Sequence, residues 1–243
     1  MHGFANPARF LRLARWLTMP CLVAGVVIAA AALWWGLLRA PADALQGDSV
    51  RILYLHVPAA WLGMWGWGAI AAASFAELVW RHPLAAIAAR AAAVPGAFYT
   101  VLCLASGSLW GRPAWGAWWV WDGRLTSMLV LLFLYFAYMA LADAAGRDGD
   151  GNSRLAAIFG LVGAVNIPII HYSVIWWNSL HQPPSISMGK SAMASDFLYP
   201  LLVSVLGFTL IFAGVVLARM RAILADSQAE ARLRRKAMSE DAG

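Results

Sequence analysis

The chain has 243 residues, 62% of them hydrophobic and only 12% charged, whereas an ordinary soluble domain is about half apolar and about a quarter charged. One soluble core cannot hold that excess, so the apolar blocks are read as membrane spans of roughly 20 residues each. The formal net charge is +6, but the cations stand at the ends of apolar blocks and in a C-terminal cluster, Arg232, Arg234, Arg235 and Lys236. Topology and contact with membrane lipid account for them, and no nucleic acid is expected. The two cysteines, Cys21 and Cys103, each lie inside an apolar block, which excludes a disulfide framework and a thiolate zinc site.

In chain order the predicted spans are about 16–38, 58–80, 88–109, 125–143, 155–177 and 197–219. They predict an all-α, polytopic integral membrane protein of about six transmembrane helices, since continuous apolar runs are unlike the short alternating strands of a barrel. The first block follows Arg9, Arg12 and Arg15 and is longer than a secretory signal core, so it is read as an uncleaved span. By loop parity, Arg9, Arg12, Arg15, Arg81, Arg90, Arg147, Arg154, Arg219, Arg221, Arg232, Arg234, Arg235 and Lys236 fall on one side. Only Arg39, Arg51, Arg112, Arg124 and Lys190 fall on the other. That bias places both termini in the cytoplasm.

On the inner side, Arg81-His82-Pro83 reads as a tight turn and 145–152 as a flexible linker. The charged stretch from Arg221 extends the last helix outward, so the chain divides into a six-span membrane domain over 1–220 and a polar cytoplasmic tail over 221–243. The outer loops, about 39–57, 110–124 and 178–196, carry the unusual residues, and function is sought there.

Trp16 and Trp80 lie near the inner boundary, while Trp34, Trp35, Trp61, Trp65, Trp67, Trp110, Trp115, Trp118, Trp119, Trp121, Trp176 and Trp177 fall in the outer half. An interfacial belt decorates both faces equally, so this asymmetry points to a ligand platform on the outer side. Its densest part is the loop 110–126. Coiled as a short helix, that loop would set Trp115, Trp118, Trp119 and Asp122 at i, i+3, i+4 and i+7, on one face. Flat indoles side by side make a rigid apolar surface, although the same spacing suits a helix bedded in the lipid interface.

Histidine decides between these readings. His56 precedes the second span and His181 follows the fifth, so both flank the tryptophan loop in depth, and imidazole is a common axial ligand of haem iron. His171, inside the fifth span, is a rival ligand, but Pro168 frees a backbone carbonyl that His171 or Asn166 could help satisfy, which favours a structural role. Arg51, Arg112 and Arg124 are candidate contacts for haem propionates. Asp122 is read first as the N-cap of the fourth span, with Arg124 in its first turn. His2 and His82 are given no role. No Cys-x-x-Cys-His run is present for covalent haem.

The run Trp110 to Thr126 resembles the tryptophan-rich signature, the WWD domain, of the haem-handling proteins of cytochrome c maturation, and is most similar to the CcmC family of haem exporter C proteins. The resemblance extends to Ala40–Asp43, Arg51–Pro58 and Asn166–Gln182. It implies six spans in a bacterial inner membrane, an outward-facing, periplasmic tryptophan-rich domain formed here by Trp110, Trp115, Trp118, Trp119, Trp121 and Asp122, and haem b carried transiently between His56 and His181. It further implies delivery to the haem chaperone CcmE within an assembly containing CcmA, CcmB and CcmD. The larger relatives CcmF and CcsA share the signature but have additional spans. No nucleotide motif is present, so a non-enzymatic transfer component is expected, with any energy supplied by partners. The competing reading is a membrane b-type cytochrome in electron transfer, which would place facing histidines within spans.

Overall fold

The computed structural model describes residues 6–148, 153–177, 179–182, 186–187 and 190–240. His2, the second half of the inner linker at 149–152 and the last three residues of the tail lie outside the described residues. Among the described residues, six helical stretches are long and apolar enough to cross a membrane, as a polytopic membrane protein requires. Helix α1 spans Pro7–Leu38; a 3₁₀ turn, Asp48–Ile52, leads directly into α2, Leu53–Trp80; then come α3, Ala85–Trp115, and α4, Gly123–Asp148. The fifth crossing is two pieces, α5 (Ser153–Gly163) and α6 (Asn166–Trp176), and α7 covers Ser195–Glu240. The described strands are β1, Ile186–Ser187, and β2, Lys190–Ser191, paired antiparallel.

Local chemistry explains most of the helix limits. Asn6 caps α1 by accepting from the Ala8 N–H at 2.9 Å, and Pro7 occupies a first-turn position where its missing donor costs nothing. Helix α3 ends at Trp115 because Gly116 takes a left-handed conformation (φ 79°) and its N–H bonds the Arg112 carbonyl at 3.0 Å. The fifth crossing breaks between Gly163 and Asn166. Pro168 cannot donate to the Ala164 carbonyl and its ring crowds that group, so the chain passes through tighter bonds from Val165 N–H to Val162 and from Ile167 N–H to Ala164. Asn166 does not repair the break. Its amide instead donates to the Ser127 carbonyl of α4 at 2.9 Å.

The core runs through the middle of α2, α3 and α4, around Trp67, Ile70, Tyr99, Leu131 and Tyr135. Trp67 is fully buried there, edge-on to Tyr135, Tyr138 and Phe159, and donates to the Gly160 carbonyl at 3.1 Å. Its place in the outer-half group of tryptophans is therefore corrected: it is a core residue with a satisfied indole N–H. Helices α1 and α7 pack on small residues. A Cβ on Gly207 would lie 2.5 Å from the Ala29 nitrogen, and one on Gly25 would lie 2.7 Å from the Ile211 nitrogen, the close backbone approach typical of membrane helix pairs.

At 1.5 Å per residue, the 46 residues of α7 extend about 69 Å, over twice the hydrocarbon thickness of about 30 Å. The position 220/221 falls inside this helix. Met220 and Leu224 are both buried, against Leu84 just before α3 and Ala91 within it, with Phe10 and Leu11 of α1 alongside, so the packed part of α7 passes that position before the helix becomes exposed and basic.

Candidate haem site

The site lies where α1, α3 and α6 finish and α2, α4 and α7 begin. His56 is in the first turn of α2, one turn into a helix that starts earlier than the sequence pattern suggested. It is thus a helix residue, not a loop residue. The imidazole Nδ1 lies 3.1 Å from the Cys103 carbonyl and 3.1 Å from Ser106 Oγ, both on α3. A carbonyl only accepts, so Nδ1 carries the proton and the lone pair resides on Nε2. Gly107 makes room for the ring, since a Cβ there would fall 2.9 Å from His56 Cε1. Trp110 closes the cradle edge-on, with ring centroids 5.7 Å apart, and its indole N–H donates to Gln46 Oε1 at 2.8 Å.

His181 belongs to the segment after α6, outside any described helix or strand. Its Nδ1 lies 3.1 Å from Asp122 Oδ2, and Trp115 packs against the ring at 4.6 Å between centroids. The Ser179 hydroxyl donates to the same carboxylate oxygen and accepts from the His181 backbone N–H at 3.1 Å. Asp122 also does what its position before the fourth span predicts: Oδ1 accepts from the Leu125 N–H at 2.8 Å, capping α4. Burial works against the Asp122 carboxylate, but the hydrogen bonds from Ser179, Leu125 and His181 prevail and hold its pKa below the usual value. Burial lowers the pKa of His181 despite the opposing carboxylate, which keeps the imidazole neutral at pH 7.

The tryptophan segment departs from the helical reading. Because Gly116 ends α3, residues 117–122 are irregular, so Trp115, Trp118, Trp119 and Asp122 do not share a helix face. Trp118 and Trp121 are 56% and 75% exposed, and Trp119 packs edge-on to Trp121 at 5.4 Å. The Trp119 Nε1 is buried with no acceptor. Asp122, grouped with the platform on sequence, is 7% exposed and lies beneath it as a cap and a histidine partner.

All three candidate arginines donate to a backbone carbonyl, and the Nε of both Arg51 and Arg124 is buried without a partner. Arg51 bonds the Leu37 carbonyl at 2.7 Å and pairs with Asp48 at 3.1 Å, and Arg112 donates to the Gly116 carbonyl at the end of α3. Arg124 donates to the His171 carbonyl at 3.1 Å, yet its Nε is buried without a partner. The Arg124 charge also disfavours the protonated form of His181. The His171 ring is exposed on the flank against Tyr172, 4.8 Å between centroids. That is not the interior placement a deeply embedded ligand requires.

Sequence reasoning missed Cys103, Ser106, Gly107, Ser179 and Gln46. The first three fall with Trp110 at i, i+3, i+4 and i+7 along α3, a spacing that marks one helix face. Nothing local to Gln46 or Ser179 signals their partners. Two open cavities, of about 350 and 360 Å³, border Arg39 and Asp196 and the Pro7 and Arg232 region. Neither touches a histidine.

A family model described as "Heme exporter protein C" matches residues 1–235. The heme exporter protein C of Bradyrhizobium diazoefficiens is 51% identical over 218 residues, covering 89% of this chain and 82% of that protein. That of Escherichia coli K12 is 46% identical over 227 residues, 92% of this chain and 90% of the other, and that of Paracoccus denitrificans is 41% identical over 221 residues, 90% of each. With most of both lengths matched at this level, the chain belongs to the haem exporter protein C family of cytochrome c maturation.

Proposed function

We propose that this protein carries haem b as cargo at the outer face of a bacterial inner membrane, with His56 and His181 as the axial ligands, and passes it to the chaperone CcmE. One observation carries the reading: both histidines are anchored through Nδ1, and no hydrogen bond among the described residues engages either Nε2. This is the arrangement of metal-binding imidazoles, in which the second nitrogen is tied to an acceptor and fixes the ring. Among the described residues no group of three or more histidine, cysteine or acidic side chains gathers. Two imidazoles, each held through Nδ1, therefore suit an iron that brings its own four equatorial nitrogens better than a bare ion.

Other features fit the macrocycle. Trp115, Trp110 and Trp119 supply apolar surface, and the unpaired Trp119 Nε1 and Arg124 Nε are buried donors awaiting an acceptor such as a propionate. Arg51 also has a buried, unpartnered Nε but is a weaker propionate contact because Asp48 already neutralises its charge, and the Arg112 guanidinium is turned back onto the end of its own helix. The basic-residue bias supports cytoplasmic termini and a periplasmic site. CcmA, CcmB and CcmD are the proposed companions of this transport component, for which no catalytic step is needed.

Purification of the protein together with CcmE tests the reading. Haem should copurify and then move to the chaperone, whereas a chain that binds no haem, or keeps it permanently, would act otherwise. For topology, a cysteine introduced at the exposed Ala114 should react with an impermeant thiol reagent in intact cells. Reaction only after membrane disruption would reverse the orientation.

A further inference from the structure

The two histidines are tied to acceptors of different charge. The His56 Nδ1 proton is shared between a carbonyl and a hydroxyl that itself donates to the Leu102 carbonyl at 2.6 Å, so its acceptors are neutral. The His181 Nδ1 proton faces a carboxylate on a side chain with 4% exposure. A charge-assisted hydrogen bond is roughly twice as strong as a neutral one. Drawing the Nδ1 proton toward an anion also raises electron density at Nε2, which makes the imidazole a stronger donor to iron.

Resting on the haem reading above, we propose that Asp122 is a positioning residue that makes the axial ligands unequal: it renders His181 the stronger donor, selective for ferric iron, and leaves His56 as the ligand that is exchanged when haem is handed on. Asp122 acts through His181 and touches no cargo itself. The same carboxylate caps α4 with its other oxygen, so the ligand is locked to the fourth crossing although it resides in a segment without regular structure. Ser179 modulates the effect, because its hydroxyl competes for the oxygen that His181 uses.

Asp122→Asn separates the two roles. Asparagine caps a helix about as well as aspartate, so α4 keeps its start while the anion behind His181 is removed. Loss of an outer-shell partner typically costs about 10- to 100-fold in metal affinity. For the purified protein loaded with haem b, ferric binding should weaken about tenfold more than ferrous, equivalent to an upward shift of about 59 mV in midpoint potential. In a His56→Gly background, where ferrous iron retains only the protein ligand from His181, the iron–histidine stretching band should move to lower frequency in Asp122→Asn. Ser179→Ala should shift the potential downward, and it serves as a second reading if Asp122→Asn accumulates poorly.

A potential and a stretching band in Asp122→Asn equal to those with the native carboxylate would overturn the proposal and leave Asp122 a helix cap. An unchanged potential in Ser179→Ala would count against it as well. His181→Gly is the control for the underlying reading: if its haem spectrum matches the parent, His181 is not a ligand and both the reading and this inference fall. If imidazole restores that variant while Asp122→Asn is silent, only the inference fails.

Discussion

His56 stands in a cradle made by two helices, α2 and α3, whereas His181 stands in a segment with no regular structure and is fixed chiefly by Asp122 and Ser179. The first histidine owes its position to packing: Gly107 leaves room for the ring and Trp110 closes it in. The second owes its position to a buried charge and an indole face. Both rings are thus held before any cargo arrives, one by neutral packing and one by a buried charge, which lowers the ordering cost of binding. The comparison also identifies which perturbations act on each half.

The largest expected effect is on the His181 half. Trp115, Trp118 and Trp119 replaced together by Ala should lose stacking worth roughly 0.5 to 1.5 kcal/mol per aromatic pair beyond buried area, hence a fall in bound haem of tenfold or more at 1.4 kcal/mol per decade. Membrane insertion should be unaffected, and Trp115→Ala alone should account for more of the loss than Trp118→Ala, because Trp115 packs on His181 while Trp118 is exposed. Haem titration of the variants checks this. Full retention in the triple variant would reduce the segment to an interfacial anchor.

A smaller effect is expected on the His56 half. Gly107→Ala puts a methyl group 2.9 Å from the imidazole, so the ring must tilt away from Cys103 and Ser106, and haem affinity should drop about tenfold, as when an outer-shell partner is lost. The iron–histidine band of the His181 side should not change, which makes the variant a test of whether the halves are independent. Smallest of all, Trp110→Phe retains an aromatic ring beside His56 but loses the bond to Gln46, worth about 0.5 to 1.5 kcal/mol. Its signature is a modest fall in thermal stability with a near-normal haem spectrum.

Composition alone disclosed the six crossings, because no other fold accommodates so many apolar blocks of that length. It misplaced their limits. Hydropathy does not register that Asp48–Ile52 winds continuously into α2, which turns His56 from a loop residue into a helical one. The break before Asn166 was foreshadowed by Pro168 but not its remedy, since the partner of Asn166 lies 39 residues away on α4. Asp122 as a cap was legible from local chemistry; Asp122 as the partner of His181 joins positions 59 apart and could not be. The helical face expected of the tryptophans is broken at Gly116, whose left-handed conformation ends α3.

The central claim is that one haem is held between His56 and His181 at the outer end of the bundle, and the haem spectrum of His56→Gly/His181→Gly, measured beside His171→Ala, tests it most directly. The account predicts loss of the six-coordinate low-spin spectrum in the double variant, its return on addition of imidazole, and an unchanged spectrum in His171→Ala. A six-coordinate spectrum that persists in the double variant but disappears in His171→Ala would contradict the account and favour a cytochrome with its haem held within the spans.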